Sequence, residues 1–308
     1  MTTAIMTRTW VDEAAAVLKG LPEIGLLRNV PLAAHTYIGV GGPAPIFLAP
    51  SGVEALAAAV GRLTTAGIRF ELLGAGSNLL VADEGPSFAV IATEALASEP
   101  RLAGDTAVVS AGFPVPRLVQ RLQRGGLAGL EFAEGIPGSV GGAVRMNAGW
   151  HEGEFGNSVA TLVLVGRDGA IDSVAAVPGT FAYRRSPGVG DRIVAEATLR
   201  LTPDDPVRIA ERMRGFRDHR VRTQPAGLRN AGCMFKNPPG DHAGRLIDAC
   251  GLKGWTSGRA QVSAVHANFF INLGGATFKD VATLMDRARD EVFRRAGVAL
   301  ESEVILWR

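Results

Sequence analysis

The chain has 308 residues, 47% hydrophobic and 20% charged, enough length for two domains with ordinary globular cores. A net charge of +2 excludes nucleic acid or an anionic membrane surface as the expected main partner. The two cysteines, Cys233 and Cys250, make no disulfide framework and fit a reducing, cytoplasmic setting, and no apolar run nears the roughly 18 residues that span a bilayer.

In chain order, residues 9–19 alternate as an amphipathic helix does. Residues 45–50 read as a short buried strand. Ser51 is expected to cap a helix running to Thr65, with Glu54 completing a capping box. A strand over 69–73 leads into a tight loop at 74–80. Strands over 88–92 and 107–111 and a helix over 114–124 follow. Beyond a glycine-rich stretch at 131–149, strands over 161–165, 170–174 and 193–201 predict a hairpin-rich sheet. Thr202-Pro-Asp-Asp-Pro206 marks the expected boundary between a first domain, 1–203, and a second, 204–308. A basic amphipathic helix through Arg217 comes next, then helices over 243–250 and 277–296 and strands over 268–273 and 303–307. Helices and strands do not alternate regularly, so the fold class is α+β.

The stretch 131–149 is the most informative. Gly135, Gly138, Gly141, Gly142 and Gly149 are spaced by small or apolar residues, unlike the polar, Ser-rich composition of a flexible linker. Such glycines serve where the backbone takes positive φ or presses against a ligand, and the amides they leave free form a concave anion site. Gly74-Ala-Gly76-Ser77-Asn78 follows a strand and offers free amides, a hydroxyl and a carboxamide suited to diphosphate oxygens. Gly39-Val-Gly41-Gly42-Pro-Ala44 matches the dinucleotide pattern G-x-G-x-x-A literally. The helix that pattern requires is missing, because Pro43 and Pro45 lead into a strand instead. Three separate glycine loops together point to a large phosphate-bearing cofactor held by main chain.

Single residues carry further chemistry. His35 could tether a flavin, though a structural hydrogen-bonding role is favoured. The histidines show no metal-ligand spacing, so no metal is expected. Two arginines after an aromatic, at Tyr183-Arg184-Arg185, can aim one guanidinium at an anion. Cys233 is either an ordinary buried thiol or a proton donor with its pKa depressed by cations. Glu303, placed within an apolar terminal strand, either pairs with a cation or holds a shifted pKa.

Taken together, these motifs resemble the UDP-N-acetylenolpyruvoylglucosamine reductase family. They include His35-Thr-Tyr with Gly41-Gly42, Gly-x-Gly-Ser-Asn-Leu-Leu at 74–80, and Gly-Leu-Glu-Phe-Ala-x-Gly-Ile-Pro-Gly-Ser-Val-Gly-Gly-Ala-Val at 129–144. Further on come Phe-x-Tyr-Arg-x-Ser at 181–186, Ala-Gly-x-x-Phe-Lys-Asn-Pro at 231–238, Ala-Gln-Val-Ser-x-x-His-Ala-Asn-Phe at 260–269 and Leu-Glu-x-Glu-Val at 300–304. The resemblance implies a non-covalent FAD in a domain of the vanillyl-alcohol-oxidase type, with a smaller α+β domain closing over a UDP-sugar. It implies NADPH as reductant, hydride delivery from flavin N5 to the enolpyruvyl C3, and a proton to C2. Arg184, Cys233 and Glu303 take the catalytic positions. Gly41, Gly42, Gly74, Gly76, Ser77, Asn78, Gly135, Gly138, Ser139, Gly142 and Asn147 take the cofactor positions. Tyr183, Lys236, Asn237, Gln261 and His266 take the substrate positions. A monomer without a protein partner is expected.

The chain departs from the commonest family pattern in two places. Cys233 stands where serine is usual, and a thiol can still give up a proton. Residues 187–225 hold one aromatic from the set Phe, Trp and Tyr, namely Phe216, and no spare length for the substrate-covering loop of some members. The chain therefore resembles the shorter subtype, with arginines or other groups left to cover the diphosphate. The same fold would also suit an oxygen-using flavin oxidase or a non-catalytic nucleotide-sugar binder.

Overall fold

A computed structural model describes residues 9–151 and 153–308. The helices are α1 (Trp10–Leu18), α2 (Val53–Thr65), α3 (Val115–Arg124), α4 (Val140–Arg145), α5 (Pro206–Thr223), α6 (Ala243–Ala249) and α7 (Phe278–Ala296). Helix α2 buries Leu56, Ala59, Val60 and Leu63, a helical-period stripe, against a four-stranded sheet. That sheet runs in the order Ile24–Leu27, Phe47–Pro50, Ala89–Ala92, Phe70–Leu73, with its last two pairings parallel. A five-stranded antiparallel sheet centres on Ile193–Arg200, between Val159–Val165 and Thr106–Ser110. Its core takes in α3, α4 and the buried Phe113, Phe132 and Phe155.

A second antiparallel sheet, built on Arg229–Cys233 and Phe269–Asn272, packs under α6 and α7. Helix α7 opens on a true capping box, Thr277 with Asp280, and closes on Gly297 at φ 67°. The terminal strand Ile305–Trp307 leaves this layer and pairs in parallel with Leu79–Val81. Helix α5 lies past the expected division at 203/204, yet its Ile209 and Met213 are buried in the core of the five-stranded sheet. Among the described residues no helix is long and apolar enough to cross a membrane.

Three local expectations are corrected. Gly52, not Ser51, caps α2, and no side chain completes the cap. Ser51 Oγ instead donates to the Glu23 carbonyl at 3.3 Å, so the capping box with Glu54 does not form. The run 131–149 is not loop throughout, because its apolar residues form α4, capped by Ser139. Glu303 precedes the terminal strand rather than lying within it; its amide donates to Met234 O at 2.9 Å.

Candidate active site

Two glycine loops form one wall of a cavity of about 460 Å³. Residues 74–78 leave the strand Phe70–Leu73, and residues 136–142 enter α4; Gly74, Gly76, Ser77, Asn78, Gly138, Ser139 and Gly142 all line the space. At Gly76 only glycine fits, since φ is 66° and a Cβ would stand 2.0 Å from the His35 carbonyl oxygen. A Cβ at Gly74 would approach Ser139 Oγ to 2.7 Å. Among the described residues, no acceptor pairs with the backbone N–H of Gly76, Ser77, Asn78, Gly138 or Ser139. Buried backbone donors are nearly always satisfied by protein, water or a ligand, so a cluster of unpaired amides on one cavity suits an acceptor-rich guest. A dinucleotide diphosphate meets that demand, and FAD fits the donor set. Arg145, Arg167 and Arg192 line the same cavity and were not singled out from the sequence.

The same cavity brings together Arg184, Cys233 and Glu303. Arg184 occupies the left-handed region at φ 55°, in a turn held by Ala182 and Arg185. Its Nη2 donates to Gly149 O at 2.9 Å, and its Nε stands 2.8 Å from Glu303 Oε1. That second contact is an ion pair by distance, but Nε–H does not point along it as a hydrogen bond would. Cys233 ends the strand Arg229–Cys233, in register with Phe269. Glu303 is carried in by the crossing of the C-terminal segment: Asn78 Nδ2 donates to its carbonyl at 3.1 Å.

Burial raises the Glu303 carboxyl above its ordinary pKa, while Arg184 and then Lys236 pull it back. Burial, reinforced by Glu303, pushes the Cys233 thiol up to about 12 against the pull of Arg184 and Arg220. Of the two readings of Cys233, the cation-depressed thiol is therefore the one this environment opposes. Low dielectric and a nearby carboxylate outweigh two guanidinium groups, and the sulfur stays protonated. The surface that Cys233 keeps open faces the cavity. A protonated thiol beside a guanidinium–carboxylate pair can supply a proton where negative charge builds up.

Several residues singled out from the sequence lie outside this cavity lining. Gly41 and Gly42 press on their own chain, and a Cβ at Gly42 would fall 2.1 Å from Asp83 O. Gly135 packs against Arg220, where a Cβ would stand 2.9 Å from Cδ. Asn147 is fully buried and spends its carboxamide on Glu154, Ala182 O and Gly156 N, at 2.8, 3.1 and 2.8 Å. His35 stacks on Phe47 rather than facing the cavity.

The residues placed in substrate positions also lie outside the cavity lining, each bonded to its own neighbours. Asn237 N donates to Tyr183 Oη at 3.4 Å, and Asn237 Oδ1 accepts from Ala243 N at 3.1 Å. Lys236 pairs with Glu301, and Gln261 Nε2 donates to Gly254 O at 3.2 Å. His266 Nδ1 accepts from Asn268 N at 3.2 Å, and burial lowers its pKa. Trp150, Arg220 and Gln224 line the cavity and escaped sequence reading. A glycine-run neighbour and a basic helix carry no distinguishing spacing, and the contact between Arg220 and Gln224, the residue that ends α5, shows only in the structure.

The fold and the amide-lined cavity define a flavoprotein of the FAD-binding class, and residues 44–173 match the FAD binding domain model. Residues 224–307 match the model of the UDP-N-acetylenolpyruvoylglucosamine reductase C-terminal domain. The UDP-N-acetylenolpyruvoylglucosamine reductase of Anaeromyxobacter dehalogenans is 44% identical over 97% of this chain and 89% of its own length. That of Bacillus subtilis is 39% identical over 92% and 94%. The crystal structure of UDP-N-acetylenolpyruvylglucosamine reductase from Thermus caldophilus superposes with a TM-score of 0.79, at 39% identity, over 92% of this chain and 100% of that one. The chain belongs to the UDP-N-acetylenolpyruvoylglucosamine reductase family.

Proposed function

We propose that the protein reduces UDP-N-acetylglucosamine-enolpyruvate to UDP-N-acetylmuramate with NADPH, in peptidoglycan precursor synthesis, as a cytoplasmic monomer. The observation that carries the reading is the protonated Cys233 thiol beside the Arg184–Glu303 pair, in one cavity with the free amides of the 74–78 and 136–142 loops. FAD, when bound, supplies the hydride chemistry, recharged by NADPH.

The chain's own residues do the rest. The free amides hold the diphosphate of the cofactor. Arg184 stabilises the enolate charge that develops as the enolpyruvyl double bond is reduced. Glu303 fixes the Arg184 guanidinium by charge, at 2.8 Å. Cys233 Sγ holds the proton destined for C2 and recovers it from solvent afterwards. Residues 1–203 hold the cofactor and 204–308 the sugar nucleotide, with α5 bridging the two: Ile209 and Met213 sit in the first core while Arg220 reaches the cavity.

The test is product analysis. Incubation with NADPH and the enolpyruvyl UDP-sugar should consume the two in equal amounts and yield a product heavier by two hydrogens. NADPH consumption that tracks oxygen, with the sugar recovered unchanged, would replace the reductase reading with an oxidase one.

A further inference from the structure

Arg220 stands in the cavity wall with no carboxylate paired to it among the described residues. Its Nη1 donates to Gln224 Oε1 at 3.0 Å, and its Nε is buried with no acceptor among the described residues. The guanidinium carbon lies 4.5 Å over the ring of Trp150. Gly135 forms the third side of this socket, since a Cβ there would press on the Arg220 stem. Arg184, by contrast, is held by the carboxylate of Glu303.

The difference has a chemical consequence. A carboxylate that positions a guanidinium also neutralises it, whereas an aromatic face holds the cation and leaves its charge free. The indole is itself locked to the helix that bears Arg220. Trp150 packs against Phe216 at 5.7 Å and His219 at 5.4 Å, centroid to centroid. Phe216, His219 and Arg220 fall at i, i+3 and i+4 on α5, one face of the helix.

We infer that Trp150 is a positioning residue, whose indole face aims the Arg220 guanidinium, which pairs with no carboxylate among the described residues, into the cavity to grip an anionic group of the sugar substrate. The inference rests on the reductase reading proposed above. Trp150 acts through Arg220 and tunes substrate affinity more than the chemical step.

The experiment is a cycle on the FAD-loaded protein: Trp150→Leu, Trp150→Phe, Arg220→Gln, and Trp150→Leu combined with Arg220→Gln. Flavin content, KM for UDP-N-acetylglucosamine-enolpyruvate and kcat are measured for each. Trp150→Leu should raise KM about tenfold, with a smaller change in kcat and unchanged flavin content. Trp150→Phe should recover most of the loss, and Trp150→Leu should add nothing once Arg220 is Gln. An unchanged KM in Trp150→Leu, no rescue by Phe, or the same added loss in the Arg220→Gln background would overturn the inference. Wild-type turnover of the sugar separates this from the reductase reading. Thermal midpoints of the same proteins report the contact even without turnover: coupled losses support it and additive losses refute it.

Discussion

Asn78 Nδ2 donates to the backbone carbonyl of Glu303 at 3.1 Å, and Asn78 O accepts from Ile305 N at 3.1 Å. The turn that offers free amides to a diphosphate thus also anchors the segment that carries the carboxylate. The proposed cofactor and reaction sites share one clamp. Replacing Asn78 with Ala should therefore lower FAD retention and turnover together. Flavin stoichiometry after gel filtration, set beside activity with saturating FAD, checks this. Full retention together with full activity would show that the clamp is dispensable.

Cys233 is held protonated by burial, so its substitution should divide the catalytic cycle. In Cys233→Ala, flavin reduction by NADPH should stay near wild type, while reoxidation by the enolpyruvyl sugar slows by about 10²–10⁴-fold. Cys233→Ser should keep substantial activity, because a hydroxyl can hold the same proton. Rapid-mixing absorbance of each half-reaction decides, and equal slowing of both would remove the thiol from the proton-donor role.

The same thiol makes a linkage prediction. Its folded pKa is raised, from 9.0 to about 12. The folded state then binds the proton more tightly than the unfolded state does. That contribution to stability is complete below pH 9 and is lost as pH rises toward 12. Cys233→Ser should flatten the alkaline fall in the unfolding midpoint. Alkylation by iodoacetamide should stay slow at pH 9 in the native protein; rates equal to those of a free thiol would contradict the burial.

Arg184 and Glu303 should behave as a unit. Their side chains are 20% and 16% exposed, so removing one partner should cost less than a fully buried pair, about 2 kcal/mol. Glu303 itself titrates above its ordinary 4.5, which makes its stabilisation full below pH 4.5 and lost as pH rises through the folded value. Glu303→Gln should flatten that fall, retain FAD and lose turnover. Denaturant titration across pH, with flavin content alongside, measures all three.

Asn147 tests the border between binding and structure. Its carboxamide serves three internal partners in a fully buried site. Asn147→Ala should therefore destabilise the fold by about 2–4 kcal/mol, visible in denaturant unfolding. Unchanged stability with lost flavin would return the residue to the cofactor.

Much of this was legible from residues alone, for identifiable reasons. The 74–78 and 136–142 loops announce themselves because glycine is tolerated there for close approach, as at Gly76 against the His35 carbonyl. The same property misled at Gly42 and Gly135. A glycine pressed against Asp83 O or the Arg220 stem looks identical in sequence to one pressed against a ligand. Arg184 stood out as one of two arginines after an aromatic, Cys233 as a thiol between Gly232 and Met234, and Glu303 as a carboxylate beside an apolar run. The structure brings all three to one cavity. The direction of the Cys233 shift was not legible, because it is set by how deeply the folded chain buries the thiol, with Glu303 arriving from the far end of the chain to reinforce it. Trp150 and Arg220 were invisible for a similar reason: their contact joins a short hairpin to a helix more than sixty residues away.

The most direct measurement is anaerobic. The FAD-loaded protein is reduced with one equivalent of NADPH, the enolpyruvyl UDP-sugar is added, and the flavin spectrum is followed. Rapid return of oxidised flavin is expected, since a protonated Cys233 and the Arg184–Glu303 pair stand ready for that acceptor. Flavin that stays reduced until air is admitted would contradict the reductase chemistry and leave only the fold.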